Sequence, residues 1–241
     1  MRCSLNEPRI RTTLERLHKE AEQQREFGSG IAQRIPGAID ILLRRDVSTA
    51  AQAERHKDLY LSISREQGIF AYLVGRSINA HRIVEFGTSF GVSTIYLAAA
   101  VKDNGGGLVI GSEIEGSKVQ RAQSHLDDAG LSDYVNIRQG DARRTLADPG
   151  GAVDMVLMDG AKRLYLPIIK MLTPHLRHGA VVLADNVCHF KKTLTHYRRF
   201  VRDITNGFRS TTLPFRGGFE YSVWLGLEVP VSRGWNRQGT S

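Results

Sequence analysis

The chain has 241 residues, 41% hydrophobic and 24% charged, and carries a formal charge of +8, a balance that allows one large α/β domain or two small ones and argues against disorder. No apolar run approaches membrane-spanning length, and the polar opening Met1-Arg-Cys-Ser-Leu-Asn-Glu-Pro8 lacks the apolar stretch of a signal peptide, so a cytoplasmic protein with no membrane association is expected. Two cysteines, Cys3 and Cys188, are too few and too scattered for a disulfide framework or a zinc site, and the basic pairs Arg143-Arg144, Lys191-Lys192 and Arg198-Arg199 are not interleaved with aromatics, which leaves nucleic acid open as a partner without favouring it.

In chain order, residues 7–26 form a charged helix with Ile10, Leu14 and Leu17 at helical spacing, which Gly28-Ser-Gly30 is expected to break. Residues 35–43 read as a short helix with Pro36 near its start, and 46–58 as a loop or weak helix. Ser64-Arg-Glu-Gln67 matches a capping box, followed by an apolar face of Ile69, Leu73, Val74 and Ile78. From residue 82 strands alternate with helices. Strands are expected at 82–87, 108–114, 134–138, 153–158 and 180–184, with helices at 92–101, 117–129, 143–146, 164–176 and 194–205. Two last runs, 210–213 and 219–225, read as a strand pair. The whole predicts an α/β fold, doubly wound on a mostly parallel sheet. Residues 1–80 read as a helical extension of the same domain, covering a site or a dimer contact, 81–228 as the core, and 229–241 as a polar tail.

The chemistry collects at the C-terminal ends of the strands, where open α/β sheets bind ligands. Glu85-Phe-Gly87-Thr-Ser-Phe-Gly91 is a glycine turn with no lysine or arginine in it to meet phosphates. Glu113 ends the second strand, as a partner for a ribose diol or as an exposed carboxylate. Asp141 follows the third, facing an adenine amine or capping the next helix. Met155-Val-Leu-Met-Asp-Gly-Ala-Lys162 and Val181-Val-Leu-Ala-Asp-Asn186 each end in hard oxygen donors. Their strands are expected to be neighbours, spaced about 4.8 Å apart. Asp159, Asp185 and Asn186 would then reach one divalent cation, Mg²⁺ in preference to zinc, with Lys162 beside it as base.

These motifs, Val84-Glu-Phe-Gly-Thr-Ser-Phe-Gly-Val-Ser93, Ser112-Glu-Ile114, Gly140-Asp-Ala142, Met158-Asp-Gly-Ala-Lys162 and Ala184-Asp-Asn-Val187, resemble those of class I S-adenosylmethionine-dependent methyltransferases. More narrowly they resemble the cation-dependent catechol O-methyltransferase-like family, over about residues 60–226. The resemblance implies a Rossmann-like seven-stranded sheet with an antiparallel C-terminal strand. It implies that Glu85, Gly87 and Ser89 line the methionine part of S-adenosylmethionine and that Ser93 meets its carboxylate. Glu113 would hold the ribose, Asp141 and Ala142 would read adenine, and Asp159 would serve both cofactor and metal. Glu220 aligns with an acid that engages the second hydroxyl of a catechol. The activity implied is Mg²⁺-dependent methyl transfer to a hydroxyl of a small phenolic vicinal diol, catechol-like or hydroxycinnamoyl, by a homodimer. The alternatives are an RNA methyltransferase of the same family and a non-catalytic nucleotide-binding module. Gly160-Ala161 departs from the larger or acidic residues usual between the Asp and the Lys, and Cys188-His-Phe-Lys-Lys192 lacks the family's Trp-x-Gly pattern.

Overall fold

The computed structural model describes residues 3–32, 58 and 62–227. The stretches 35–43, 46–57 and 229–241 lie outside the described residues. Seven strands form one sheet in the order β3-β2-β1-β4-β5-β7-β6. They are β1 (Arg82–Phe86), β2 (Leu108–Glu113), β3 (Val135–Gln139), β4 (Val153–Met158), β5 (Leu176–Asp185), β6 (Phe208–Leu213) and β7 (Phe219–Trp224). The first five run parallel, and β7 is antiparallel to both β5 and β6. Among the described residues the α-helices are α1 (Pro8–Ala32), α2 (Arg65–Ser77), α3 (Val92–Asp103), α4 (Gly116–Ala129), α5 (Ala142–Thr145), α6 (Tyr165–Leu172) and α7 (Thr195–Arg202).

Strand periodicity divides the core into two layers. Ile83, Val109, Met155, Leu157, Val181 and Leu183 face α1 to α4, while Val84, Ile110, Val156, Met158, Val182 and Ala184 face α6 and α7. Continuous apolar strands such as β4 are therefore buried on both faces, as a parallel sheet requires. Chain order reverses between β1 and β4, the point beyond whose strand ends open α/β sheets bind their ligands.

Three elements differ from expectation. α1 runs on through Gly28 and Gly30 to Ala32, because an isolated glycine lowers helix stability by only about 1 kcal/mol, and Ile10, Leu14, Leu17 and Ala21 tie the helix to the core. On α2 the capping box forms as read, but Ile69 and Leu73 are 40% and 55% exposed. The buried side carries Gly68, Ala71 and Gly75 instead. A Cβ at Gly68 would run into the Tyr96 ring and one at Gly75 would lie 3.1 Å from Ala100, so small residues let α2 lie close on α3. β5 starts earlier than expected, at Leu176, through a register shift between Val153 and Met155 and a left-handed Gly179.

Candidate active site

Register assembles the site. Met158 lies level with Ala184, so the next residue on each chain, Asp159 and Asp185, stands beside the other on the face toward α2. Asp185 is 5% exposed. Its Oδ1 accepts from Gln67 Nε2 at 2.6 Å, and its Oδ2 accepts from Asn186 Nδ2. Lys162 Nζ lies 3.0 Å from Asp159 Oδ1 and donates to the Tyr165 hydroxyl at 2.8 Å. That hydroxyl in turn lies 2.6 Å from the Met158 carbonyl and 3.2 Å from the Asp185 carbonyl, bracing the ends of β4 and β5.

Electrostatics follow from burial. Desolvation, and then the neighbouring Asp185 charge, push Asp159 up to about 7 against the pull of Lys162. Burial likewise raises Asp185 against Lys162 and the Gln67 hydrogen bond. Burial, with both aspartate charges, lifts the Tyr165 phenol well above its ordinary value, so it stays protonated. Two buried carboxylates thus share one lysine cation, an arrangement that a further positive charge would relieve.

Among the described residues no group of three or more His, Cys, Asp or Glu side chains is placed to hold a metal. Two carboxylates and an amide are the protein donors on offer, and the chemistry of that set fits a hard cation that keeps water or acceptor oxygens. Asn186 adopts a left-handed backbone with φ of 65°. Its Oδ1 faces His189 Nδ1 at 3.1 Å, so the amide must turn over to present oxygen beside Asp185.

At the cofactor end the residues divide into two groups. Gly87 has φ of 98°, and a Cβ there would meet the Gly160 nitrogen at 2.6 Å, which ties the β1 turn to the β4 turn. Ser89 also has a left-handed backbone, with φ of 50°. Its buried Oγ has no hydrogen-bond partner, an orphaned group that suits a ligand in the turn. The Ser89 amide donates to Glu113 Oε2 at 2.8 Å, while Glu113 Oε1 accepts from the amides of Ile114 and Glu115. Glu113 is thereby fixed at the mouth of the glycine turn.

Glu85 and Ser93 sit beneath the turn. Glu85 is fully buried and accepts from Thr88, Ser93 and Thr94 at 3.1, 2.6 and 2.5 Å. Burial raises its carboxyl despite those hydroxyls. Glu85 and Ser93 are thus joined, with Thr88 and Thr94, in a network that holds the glycine turn from below. Asp141 caps α5 through the Arg143 amide and is clamped by the Arg143 guanidinium at 2.5 Å. The hydrogen bonds to Arg143 keep Asp141 below the usual carboxylate range. It lines a cavity of about 430 Å³ with Gln139, Gly140, Arg144 and Thr145. Ala142 is buried beside it.

Glu220 lies apart from the cation donors. It is level with Ala184 on β5, whereas Phe219 is level with Asp185, so strand alternation sends Glu220 to the opposite face. It is fully buried, with Arg202 at 2.6 and 2.9 Å, Ser210 at 2.8 Å and Thr212 at 2.5 Å. Burial works against the charge, but Arg202, Thr212 and Ser210 outweigh it and hold Glu220 below its ordinary value. A contact with a second catechol hydroxyl has no support in this geometry. Cys188 is solvent-exposed.

Residue-by-residue reading missed Gln67 as a site residue and left Tyr165 as a packing residue. Gln67 was legible as a helix cap but its partner was not, since its amide reaches Asp185 across 118 residues. The Lys162-to-Tyr165 spacing was the available signal for Tyr165.

A family described as a methyltransferase domain matches residues 84–187. A catechol O-methyltransferase of Niastella koreensis is 33% identical over 71% of this chain and 73% of the relative. One from Mycobacterium tuberculosis is 34% identical over 53% of this chain and 57% of the relative. The O-methyltransferase TomG from Streptomyces achromogenes, solved in complex with SAM, superposes with a TM-score of 0.64 at 29% identity, covering 76% of this chain and 92% of that one.

Proposed function

Since the chain belongs to the catechol O-methyltransferase-like family of class I S-adenosylmethionine-dependent methyltransferases, we propose that it methylates a hydroxyl of a small vicinal-diol aromatic, catechol-like or hydroxycinnamoyl, with Mg²⁺ or another divalent cation held by Asp159, Asp185 and Asn186. The observation that carries this reading is the pairing of the β4 and β5 ends, which sets two buried carboxylates side by side next to one lysine.

S-adenosylmethionine would supply an electrophilic sulfonium methyl, seated by the Gly87 turn with Ser89 Oγ and Glu113 as polar contacts. A divalent cation between the aspartates would supply positive charge that eases ionisation of the acceptor hydroxyl. Lys162, in its neutral form, is the group placed to take that proton. Tyr165 holds its Nζ through a hydroxyl fixed to the β4 and β5 carbonyls. The remaining rate enhancement would come from holding hydroxyl and methyl in line. The small-phenol reading fits the basic residues as well. Arg143 and Arg202 are tied to Asp141 and Glu220, which removes part of the positive surface from use by a nucleic acid.

Methyl transfer from labelled S-adenosylmethionine to a panel of catechols, a hydroxycinnamoyl thioester and tRNA tests the proposal. Label should enter a vicinal diol and be absent from its mono-hydroxy analogue. Transfer to tRNA alone would replace the small-phenol reading.

A further inference from the structure

The geometry points to Gln67 as a positioning residue for Asp185, an inference that rests on the proposed role of Asp185 at a cation. Gln67 is 4% exposed and sits three residues into the capping box of α2. Every part of it is engaged. Its amide N–H donates to Ser64 Oγ at 3.2 Å, its Oε1 accepts from the Ser64 amide at 2.9 Å, and its Nε2 donates to Asp185 Oδ1 at 2.6 Å. The Ser64 amide can only donate, so it fixes which end of the Gln67 side chain is oxygen and turns the nitrogen toward Asp185.

Asn186 also donates to Asp185 Oδ2, but that bond is given up when its amide turns over to present oxygen to a cation, so Gln67 on Oδ1 is the side chain that keeps hold of the carboxylate. Each oxygen keeps a second lone pair for a cation. A neutral amide suits this task because it favours the ionised carboxylate without adding charge that would repel a metal, as a lysine or arginine would. The same side chain therefore closes the first turn of α2 and orients a carboxylate at the far end of β5. Hydrogen-bond partners of this kind commonly change metal affinity by about 10–100-fold when removed.

The cap and the positioning role separate by mutation. Ser64→Ala removes the cap and leaves the donor to Asp185 in place. Gln67→Met removes the donor to Asp185 and the Oε1 half of the box, while Ser64 Oγ still accepts from the backbone N–H of residue 67. Ser64→Asp in the Gln67→Met background replaces the hydroxyl N-cap with a charged acceptor without restoring the donor to Asp185, and so supplies a more stable variant if Gln67→Met is unstable. Mg²⁺ titration by calorimetry on the full chain with S-adenosylhomocysteine, alongside urea unfolding, reads the two roles independently. We expect Ser64→Ala to lower the urea midpoint with the Mg²⁺ dissociation constant within about twofold of the parent protein. Both Gln67 variants should weaken Mg²⁺ by about 10–100-fold. Parent-like Mg²⁺ affinity in the Gln67 variants would overturn the positioning role while leaving the cation site standing. Absence of Mg²⁺ binding to the parent protein would overturn both.

Discussion

Gly160 offers a sharp test of how the site is supported. A Cβ at this position would lie 2.6 Å from Phe86 Cε2 and Cζ and 2.8 Å from Cε1. Ordinary carbon contact of about 3.6 Å would require the ring to retreat about 1 Å. Phe86 has little room, being 6% exposed and set edge-on to Tyr165 at 6.2 Å. Overpacking of this size destabilises by about 1–3 kcal/mol. Gly160 has no left-handed backbone angle, so Gly160→Ala also gains about 0.5 kcal/mol by restricting the unfolded chain. We therefore expect a net loss of about 1.5 kcal/mol. Phe86→Leu should destabilise on its own by opening space, yet the alanine should then enter nearly freely. Urea unfolding of the four proteins of this cycle should give a favourable coupling of about 2 kcal/mol, the overpacking that is relieved. Because Phe86 backs Tyr165, which holds Lys162, Gly160→Ala should also lower turnover, and Phe86→Leu should recover part of it. Strict additivity of the two substitutions, or a Gly160→Ala protein as stable as the parent, would refute the argument.

Asp159→Ala and Asp185→Ala should each abolish methyl transfer while S-adenosylmethionine still binds, measured by labelled transfer and by calorimetry; loss of cofactor binding in both would locate their role elsewhere. Lys162→Ala should reduce kcat by at least about tenfold with little change in acceptor KM, and an unchanged kcat at neutral pH would remove it as base. Arg202→Met should lower stability at pH 7 by about 2–3 kcal/mol, since it strands the buried Glu220, the low end being apt because Arg202 is itself 39% exposed. Glu220 is held below its ordinary value, so its contribution is present above the unfolded carboxylate value near about 4.3 and is lost as pH falls through the folded one. The stability gap between Arg202→Met and the parent should thus shrink from pH 5 to about 3 in urea titrations, and a constant gap would contradict the ion-pair account.

Much of this was legible in order along the chain. Apolar runs that stop at Asp159 and at Asp185 mark buried parallel strands with reactive ends, and the sheet pairs them in matching register. The capping box at Ser64 also follows from residue type and spacing. What escaped was set by three-dimensional neighbours. Strand alternation can place Glu220 on one face or the other, and only its pairing with Ala184 decides which. The apolar residues Ile69 and Leu73 look like a core stripe, but close approach of α2 to α3 selected the glycine side. Helix α1 outlasted its glycines because its first turns are anchored on the core. Gly160 is matched to Phe86, whose ring fills the space a side chain would take. Gln67 and Asp185 meet through folding alone, since neither neighbourhood names the other.

The measurement nearest the central claim is methyl transfer to a vicinal diol by protein stripped with EDTA and then titrated with Mg²⁺, with cofactor binding followed in the same samples. Stripped protein should bind S-adenosylmethionine and transfer nothing, and activity should return with the ion and saturate. Undiminished transfer after stripping, with no response to added Mg²⁺, would contradict a cation between Asp159 and Asp185.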